Sequence, residues 1–228
     1  MEKPRDHCIR CGECCLRSSP SLQASDISRV IEGAIQRSDL YTLRSGELVR
    51  DNIRGGLKRT EREIIKVREK KKTGACIFYD GPAKQCTIYE HRPIQCAAMT
   101  CWDDTEFMRV YGEPKAERRD LIQDKNLLRL MEAHEEKCGY PRLDCYAREI
   151  EKSGERAVEN ILGILRFDHD IRLLTSEKLD VNSSELDLIY GRPLAETIVM
   201  FGLKVVREPD GSFFLTLTTP SSQPFSDA

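Results

Sequence analysis

The sequence predicts an α+β protein, mainly α-helical, built in two parts. An irregular cysteine-rich region with a short hairpin comes first, and a helical C-terminal part ending in a β-hairpin follows. Three observations carry this expectation. All ten cysteines lie between residues 8 and 145. Apolar residues recur at helical spacing through most of the second half. Near the end, two strand-like runs flank the turn-forming Pro209-Asp210-Gly211. The expected boundaries are 1–145 for the cysteine region, 146–218 for the helical part and 219–228 for a Pro- and Ser-containing disordered tail. A chain of 228 residues is long enough to bury a real core.

Taken in order, Ser25 is placed to cap a helix through about Gln36, with Ile27, Val30, Ile31 and Ala34 on one face. Gly55-Gly56 opens a second helical stretch, Leu57 to Lys72, rich in Lys and Arg. Its basic side chains read as a solvated face, or as a local patch for an acidic partner. Cys76 to Tyr79 and Gln85 to Tyr89 are strand-like and enclose Asp80-Gly81-Pro82, so they predict a hairpin. Pro93 suits the first turn of a short helix through about Thr100. A longer helix is expected over Arg119 to Lys137, stopping at Cys138-Gly139. Further helices follow near Leu143 to Lys152, Glu155 to Ser176, Ser184 to Tyr190 and Pro193 to Gly202. Leu203 to Arg207 and Ser212 to Thr218 form the closing hairpin.

The formal net charge of −2 supplies no global field for nucleic acid, so nucleic acid is not an expected partner. The longest apolar stretches, near Ile161 to Leu165 and Thr197 to Leu203, are too short to span a bilayer, and no membrane association is expected. No apolar run follows the basic N-terminal residues, which predicts a cytoplasmic protein. In a reducing compartment, disulfides are a poor account of densely packed cysteines. Four of them, Cys8-x2-Cys11-x2-Cys14-Cys15, fall within eight residues, and clustering of that kind points to a metal.

A Cys-x2-Cys step lets two sulfurs converge on one ion while backbone N–H groups of the turn face them. Cys8, Cys11 and Cys14 are thereby within reach of one centre, and Cys76, Cys86 and Cys96 are candidates for a remote fourth ligand. Adjacent side chains usually diverge, so either Cys15 reaches a second centre or one of the pair Cys14 and Cys15 stands behind the first. Cys101, Cys138 and Cys145 lie outside this set, the last two flanking a Gly139-Tyr140-Pro141 loop. They are either ligands of a second cluster or small buried hydrophobes. A thiolate-rich centre carries excess negative charge, which makes Arg92 and Tyr89 candidates for stabilising it. His7 and His91 adjoin the cysteines, and His134 and His169 sit in helical stretches without a visible partner.

Cys8-Ile-Arg-Cys11-Gly12-Glu-Cys14-Cys15, then Cys76-Ile-Phe, Cys86-Thr-Ile-Tyr89-Glu-His-Arg92-Pro93 and Cys96, resembles the CxxCxxCC family of zinc- or iron-chelating (YkgJ-like) proteins over roughly residues 8 to 100. The resemblance implies that Cys8, Cys11, Cys14, Cys15, Cys76, Cys86 and Cys96 form a chelating set. A similar cysteine pattern occurs in flagellin lysine methylases, which keeps methyl transfer open as an activity. No G-x-G-x-x-G loop and no catalytic constellation is legible.

Four cysteines together and three scattered resemble cluster ligation more than the paired ligands of a zinc ribbon. The expected cofactor is therefore an iron–sulfur cluster, [4Fe–4S], in one or two centres, with Zn2+ as the alternative. The corresponding functions are electron transfer or maturation of a redox enzyme, with a redox or client protein as partner. A zinc-stapled interaction protein and a cluster-containing methyltransferase are the alternatives.

Overall fold

The computed structural model describes residues 8, 10–207 and 213–218; His7, the turn expected at 209–211 and the tail expected at 219–228 lie outside these. The chain is α+β and predominantly helical. Its strands are β1 Leu40–Leu43, β2 Leu48–Arg50, β3 Leu57–Arg59, β4 Ile64–Val67, β5 Tyr79–Asp80, β6 Gln85–Cys86, β7 Leu203–Arg207 and β8 Phe213–Leu217. They form two-stranded ribbons, β1 with β4, β2 with β3, β5 with β6 and β7 with β8. Helices are α1 Glu13–Arg17, α2 Ile27–Ile31, α3 Ile94–Ala98, α4 Thr105–Tyr111, α5 Arg118–Leu121, α6 Lys125–Cys138, α7 Tyr140–Lys178, α8 Leu186–Tyr190 and α9 Leu194–Thr197. No helix among the described residues is long and apolar enough to cross a membrane.

Two compact units interleave in sequence. One takes the described residues up to Thr42 together with Ile64–Gln123; the other takes Leu43–Glu63 and the chain from Asp124 onward. Eight cysteines fall in the first unit, and Cys138 and Cys145 in the second.

In the first unit, Leu22, Ile35, Leu40, Ile65, Val67 and Val110 are buried. The helix expected from Ser25 to Gln36 is shorter. Gln23 and Asp26 form a capping box ahead of it, and Gly33, at φ 82°, turns the chain after Ile31. The stretch expected as a helix from Leu57 to Lys72 is instead two strands. Gly55 and Gly56, both at φ 76°, turn the chain ahead of them. The β-branched Ile64, Ile65 and Val67 then suit a pleated surface, on which Ile65 and Val67 are buried.

The helix expected over Arg119 to Lys137 is broken. Ile122 is extended, and the Asp124 side chain accepts from Asn126 N at 2.8 Å and Leu127 N at 2.9 Å, starting α6 afresh. Asp124→Ala is expected to lower stability by about 1 kcal/mol and the melting temperature by about 2–4 °C, read by circular dichroism. The expected loop at 139–141 is also corrected: only Gly139 interrupts the helices, and Pro141 lies in the first turn of α7. Gly154, at φ 46° and ψ −117°, breaks α7 between the two helices expected there.

The second unit buries Cys138, Tyr140, Leu143, Ile161, Ile164, Leu165, Leu194 and Ile198 together. Beside them runs a buried polar network. Asp168 Oδ1 lies 2.7 Å from His134 Nε2 and accepts from Arg172 Nε at 3.0 Å, while Oδ2 accepts from Leu194 N at 2.9 Å. His134, whose partner is not visible in the sequence, thus meets Asp168 across 34 residues of chain. Arg44, fully buried, donates to the Cys138 carbonyl at 3.2 Å and lies 4.7 Å from the Tyr140 ring centroid. His169 stands edge-on to Phe213, with ring centroids 5.8 Å apart.

Candidate metal centre

The Cys-rich loop folds around two left-handed residues. Arg10, at φ 57°, donates its backbone N–H to Cys8 Sγ at 3.4 Å, the N–H···S contact expected of a Cys-x2-Cys turn. Gly12, at φ 85°, precedes α1, and the Tyr79 hydroxyl lies 2.0 Å from where a Cβ on Gly12 would stand. Only a glycine satisfies both conditions. Cys14 and Cys15 thus sit on the first turn of α1, with their sulfurs 4.0 Å apart. The expected divergence of these neighbours is corrected: the short helix brings the two sulfurs together.

Backbone pairing fixes the distant cysteines. Cys76 N donates to Cys15 O at 2.8 Å, tying the hairpin segment to the loop. Cys86 is the register partner of Tyr79 across β5 and β6, and Lys70 Nζ donates to Tyr79 O at 2.5 Å. Cys96 rides on α3, which is anchored at both of its first residues. The buried Asp26 carboxylate accepts from Ile94 N at 2.9 Å, and Gln95 Oε1 accepts from Ser21 N at 2.7 Å. These anchors carry no sequence signal of their own, because Asp26 and Ser21 are remote from every cysteine they help to place.

Cys8, Cys11, Cys14, Cys15, Cys86 and Cys101 line one pocket, whose wall also includes Arg10, Tyr79 and Tyr89. Cys8, Cys14 and Cys101 are exposed, so the pocket opens to solvent. Cys76 and Cys96 stand outside that lining, and Cys76 is buried.

The thiols perturb one another. The hydrogen bond from Cys15 draws the Cys14 pKa down to about 6 against the burial that raises it. Cys15 moves far up, through that same bond first, then burial and the charges of Cys14, Cys96 and Cys76. Burial raises Cys76 to about 11, and the Cys86 charge adds to it. Cys96 is raised by burial, then by Cys76, Cys14 and Cys86, while the Arg92 charge opposes them.

Two guanidiniums adjoin these thiols. Arg92 lies 4.0 Å from the Tyr89 ring centroid and donates to the Tyr89 carbonyl at 2.7 Å. Arg10 lies 4.2 Å from the same centroid. Tyr89 thus holds two guanidiniums by cation–π attraction, one of them acting on Cys96. The sequence signal for Arg10 is its place inside a Cys-x2-Cys step.

The remaining candidates fall elsewhere. Cys138 is enclosed in the second unit's apolar core, and its thiol reaches the Ile164 carbonyl at 3.8 Å, the environment of a small buried hydrophobe. Burial raises its pKa to about 12. Cys145 is exposed and lies 3.6 Å from Glu149 Oε1. His91 is exposed on the turn before Arg92.

Among the described residues, no three His, Cys, Asp or Glu side chains stand as close as in a formed metal site. The thiols line a pocket instead of crowding one point. The donor set nevertheless fits a soft metal or an iron–sulfur cluster: the groups are thiols, they come from separate segments, and Arg10 shares their pocket. A tetrahedral ion with zinc–sulfur bonds of about 2.3 Å has sulfur–sulfur edges of about 3.8 Å, close to the Cys14–Cys15 separation.

Residues 7–113 match the model of one protein family, CxxCxxCC, described as "Putative zinc- or iron-chelating domain". No curated protein and no solved structure matches the chain.

Proposed function

With residues 7–113 a domain of the CxxCxxCC family, we propose that the first unit holds an iron–sulfur centre on its cysteine thiolates and serves electron transfer, or the maturation of a redox enzyme, in the cytoplasm. The observation that carries this reading is the pocket itself. Six cysteines line it and three of them are exposed, whereas a structural zinc takes four ligands in a closed site. Such a cluster, when bound, supplies one-electron chemistry whose potential depends on charge and hydrogen bonding around its sulfurs. Arg92 and Arg10, stacked on Tyr89, offset thiolate charge; the Cys8 sulfur accepts a backbone N–H; the solvent-open face admits a partner protein.

Protein purified without oxygen is expected to be brown, to contain iron and acid-labile sulfide in equal amounts, and to be reduced reversibly. A colourless preparation with stoichiometric zinc overturns the cluster. A centre that cannot be reduced removes electron transfer and leaves a structural role.

A specific observation favours zinc as the second reading. The 4.0 Å sulfur pair of Cys14 and Cys15 suits two thiolates on one tetrahedral zinc. In a [4Fe–4S] cluster held by four cysteines, each thiolate takes a different iron, which bears on how this pair is shared.

A further inference from the structure

Resting on the reading that the first unit holds a thiolate-bound metal centre, we propose that Tyr79 is a positioning residue for that centre's thiolates. Its phenolic hydroxyl donates a hydrogen bond to a sulfur of the loop Cys11-Gly12-Glu13-Cys14-Cys15.

Among the described residues four tyrosines are buried, and three of their hydroxyls have partners. Tyr41 donates to Glu69 Oε2 at 3.2 Å, Tyr140 donates to Thr197 Oγ1 at 3.1 Å, and Tyr190 shares a hydrogen bond with Thr175 Oγ1 at 2.6 Å. Tyr79 is the exception. Its side chain is 6 % exposed, and its hydroxyl makes no hydrogen bond to another described residue. A buried phenol ordinarily finds an acceptor, so this one calls for an acceptor within its own pocket.

The place of the hydroxyl says which groups can accept. Its oxygen lies 2.0 Å from where a Cβ on Gly12 would stand, so it rests against the backbone that joins Cys11 to α1. The other end of Tyr79 is fixed by the hairpin. Its N–H donates to Cys76 O at 3.1 Å, Lys70 holds its carbonyl, and Cys86 is its partner across the ribbon. Of the polar side chains that share the pocket, Arg10, Lys84 and Trp102 carry donors only. Gln85 pairs with Asp80 and therefore lies on the opposite face of the ribbon from Tyr79. The sulfurs of Cys11, Cys14 and Cys15, which line the pocket on either side of Gly12, are the acceptors beside the hydroxyl.

A phenol bonded to a metal-bound thiolate draws charge from the sulfur. In a cluster this favours the reduced state, and on any thiolate-bound ion it dulls the sulfur toward electrophiles. The backbone N–H of Arg10 already does this for Cys8, and Tyr79 supplies a second donor from the hairpin side.

The test uses the full chain, loaded without oxygen with cobalt(II) or with iron and sulfide, because thiolate-to-metal charge-transfer absorption reads the sulfurs directly. Tyr79→Phe keeps the ring and removes the O–H. It is expected to keep its metal, to move the charge-transfer band to longer wavelength, and to be alkylated by iodoacetamide several-fold faster while loaded. Where the centre is an iron–sulfur cluster, its reduction potential is expected to fall. Tyr79→3-fluorotyrosine, at this position alone, keeps ring and hydroxyl but makes the O–H a stronger donor, and the band is expected to move the other way. A band and an alkylation rate that are the same in both variants and the wild type overturn the proposal and leave the chelating domain intact. A wild-type chain that takes up no cobalt, zinc or iron overturns both. If Tyr79→Phe loses its metal, the fluorotyrosine chain decides: a shifted band supports the hydrogen bond, and an unshifted one overturns it.

Discussion

Gly12→Ala is expected to lose most of the bound metal and to destabilise the first unit. The added methyl meets the Tyr79 hydroxyl at 2.0 Å, ring carbon Cζ at 2.3 Å and Cε2 at 2.8 Å, so the ring has to leave its place. Tyr79 cannot move alone. It is buried, pairs with Cys86 in the β5–β6 ribbon, and its carbonyl is held by Lys70. The left-handed backbone at Gly12 adds about 1 kcal/mol against alanine by itself. The collision displaces either α1, with Cys14 and Cys15, or the ribbon, with Cys86. Both movements separate thiols that a common centre needs together, and metal binding and local folding are lost jointly. Metal analysis should show a fall of more than half, and thermal melting a drop of several degrees. Tyr79→Leu in the Gly12→Ala background removes the hydroxyl and ring edge, and should restore part of the metal. Full metal in Gly12→Ala alone would show that this contact does not position the loop.

Asp168→Ala should be the most damaging single change in the second unit. Its carboxylate accepts from His134, Arg172 and Leu194 N, and all four groups are buried or nearly so. Removing it leaves Arg172 with part of its charge unpaired and two donors unmet. Breaking a buried pair in this way costs about 3–5 kcal/mol, a fall in melting temperature on the order of 10 °C for a chain of this size. Asp168→Leu combined with Arg172→Met removes both charges and should recover part of the loss. If the single variant melts like the wild type, the network contributes little.

The same network predicts the acid limit of this unit. Burial lowers the His134 pKa, against the Asp168 hydrogen bond that raises it, so the folded state holds the ring neutral. Between its folded pKa and about 6.5, the unfolded chain binds the proton and the folded chain does not, so stability falls as pH drops below about 6.5. For Asp168, burial would raise the pKa, but the His134 bond and the Arg172 charge hold it at about 2. That contribution is present above about pH 4 and is lost as pH falls toward 2. Urea unfolding across this range should show two successive losses, the first removed in His134→Gln.

How much of this was legible in the chain divides along physical lines. The spacing of Cys8, Cys11, Cys14 and Cys15 declared a thiolate centre, because cysteines so close in sequence cannot be far apart in space. Pro93, the Asp80-Gly81 turn and the closing hairpin were also readable, since each rests on backbone preferences of a few adjacent residues. The break at Asp124 was not, because Leu121, Leu127, Leu128 and Met131 keep a helical period straight across it. Neither was the strand at Ile64–Val67, whose partner, Leu40–Leu43, is distant in sequence.

Local sequence alone determined which atoms are available to a metal and that four of them lie together. Tertiary structure decided the rest: that Cys76 is bonded to Cys15, that Asp26 and Ser21 hold the helix bearing Cys96, that Tyr79 closes over Gly12, and that His134 meets Asp168. The reason is that these contacts join residues roughly 35 to 75 positions apart. Their formation depends on the packing of whole elements and the entropy of closing long loops, which no local preference encodes.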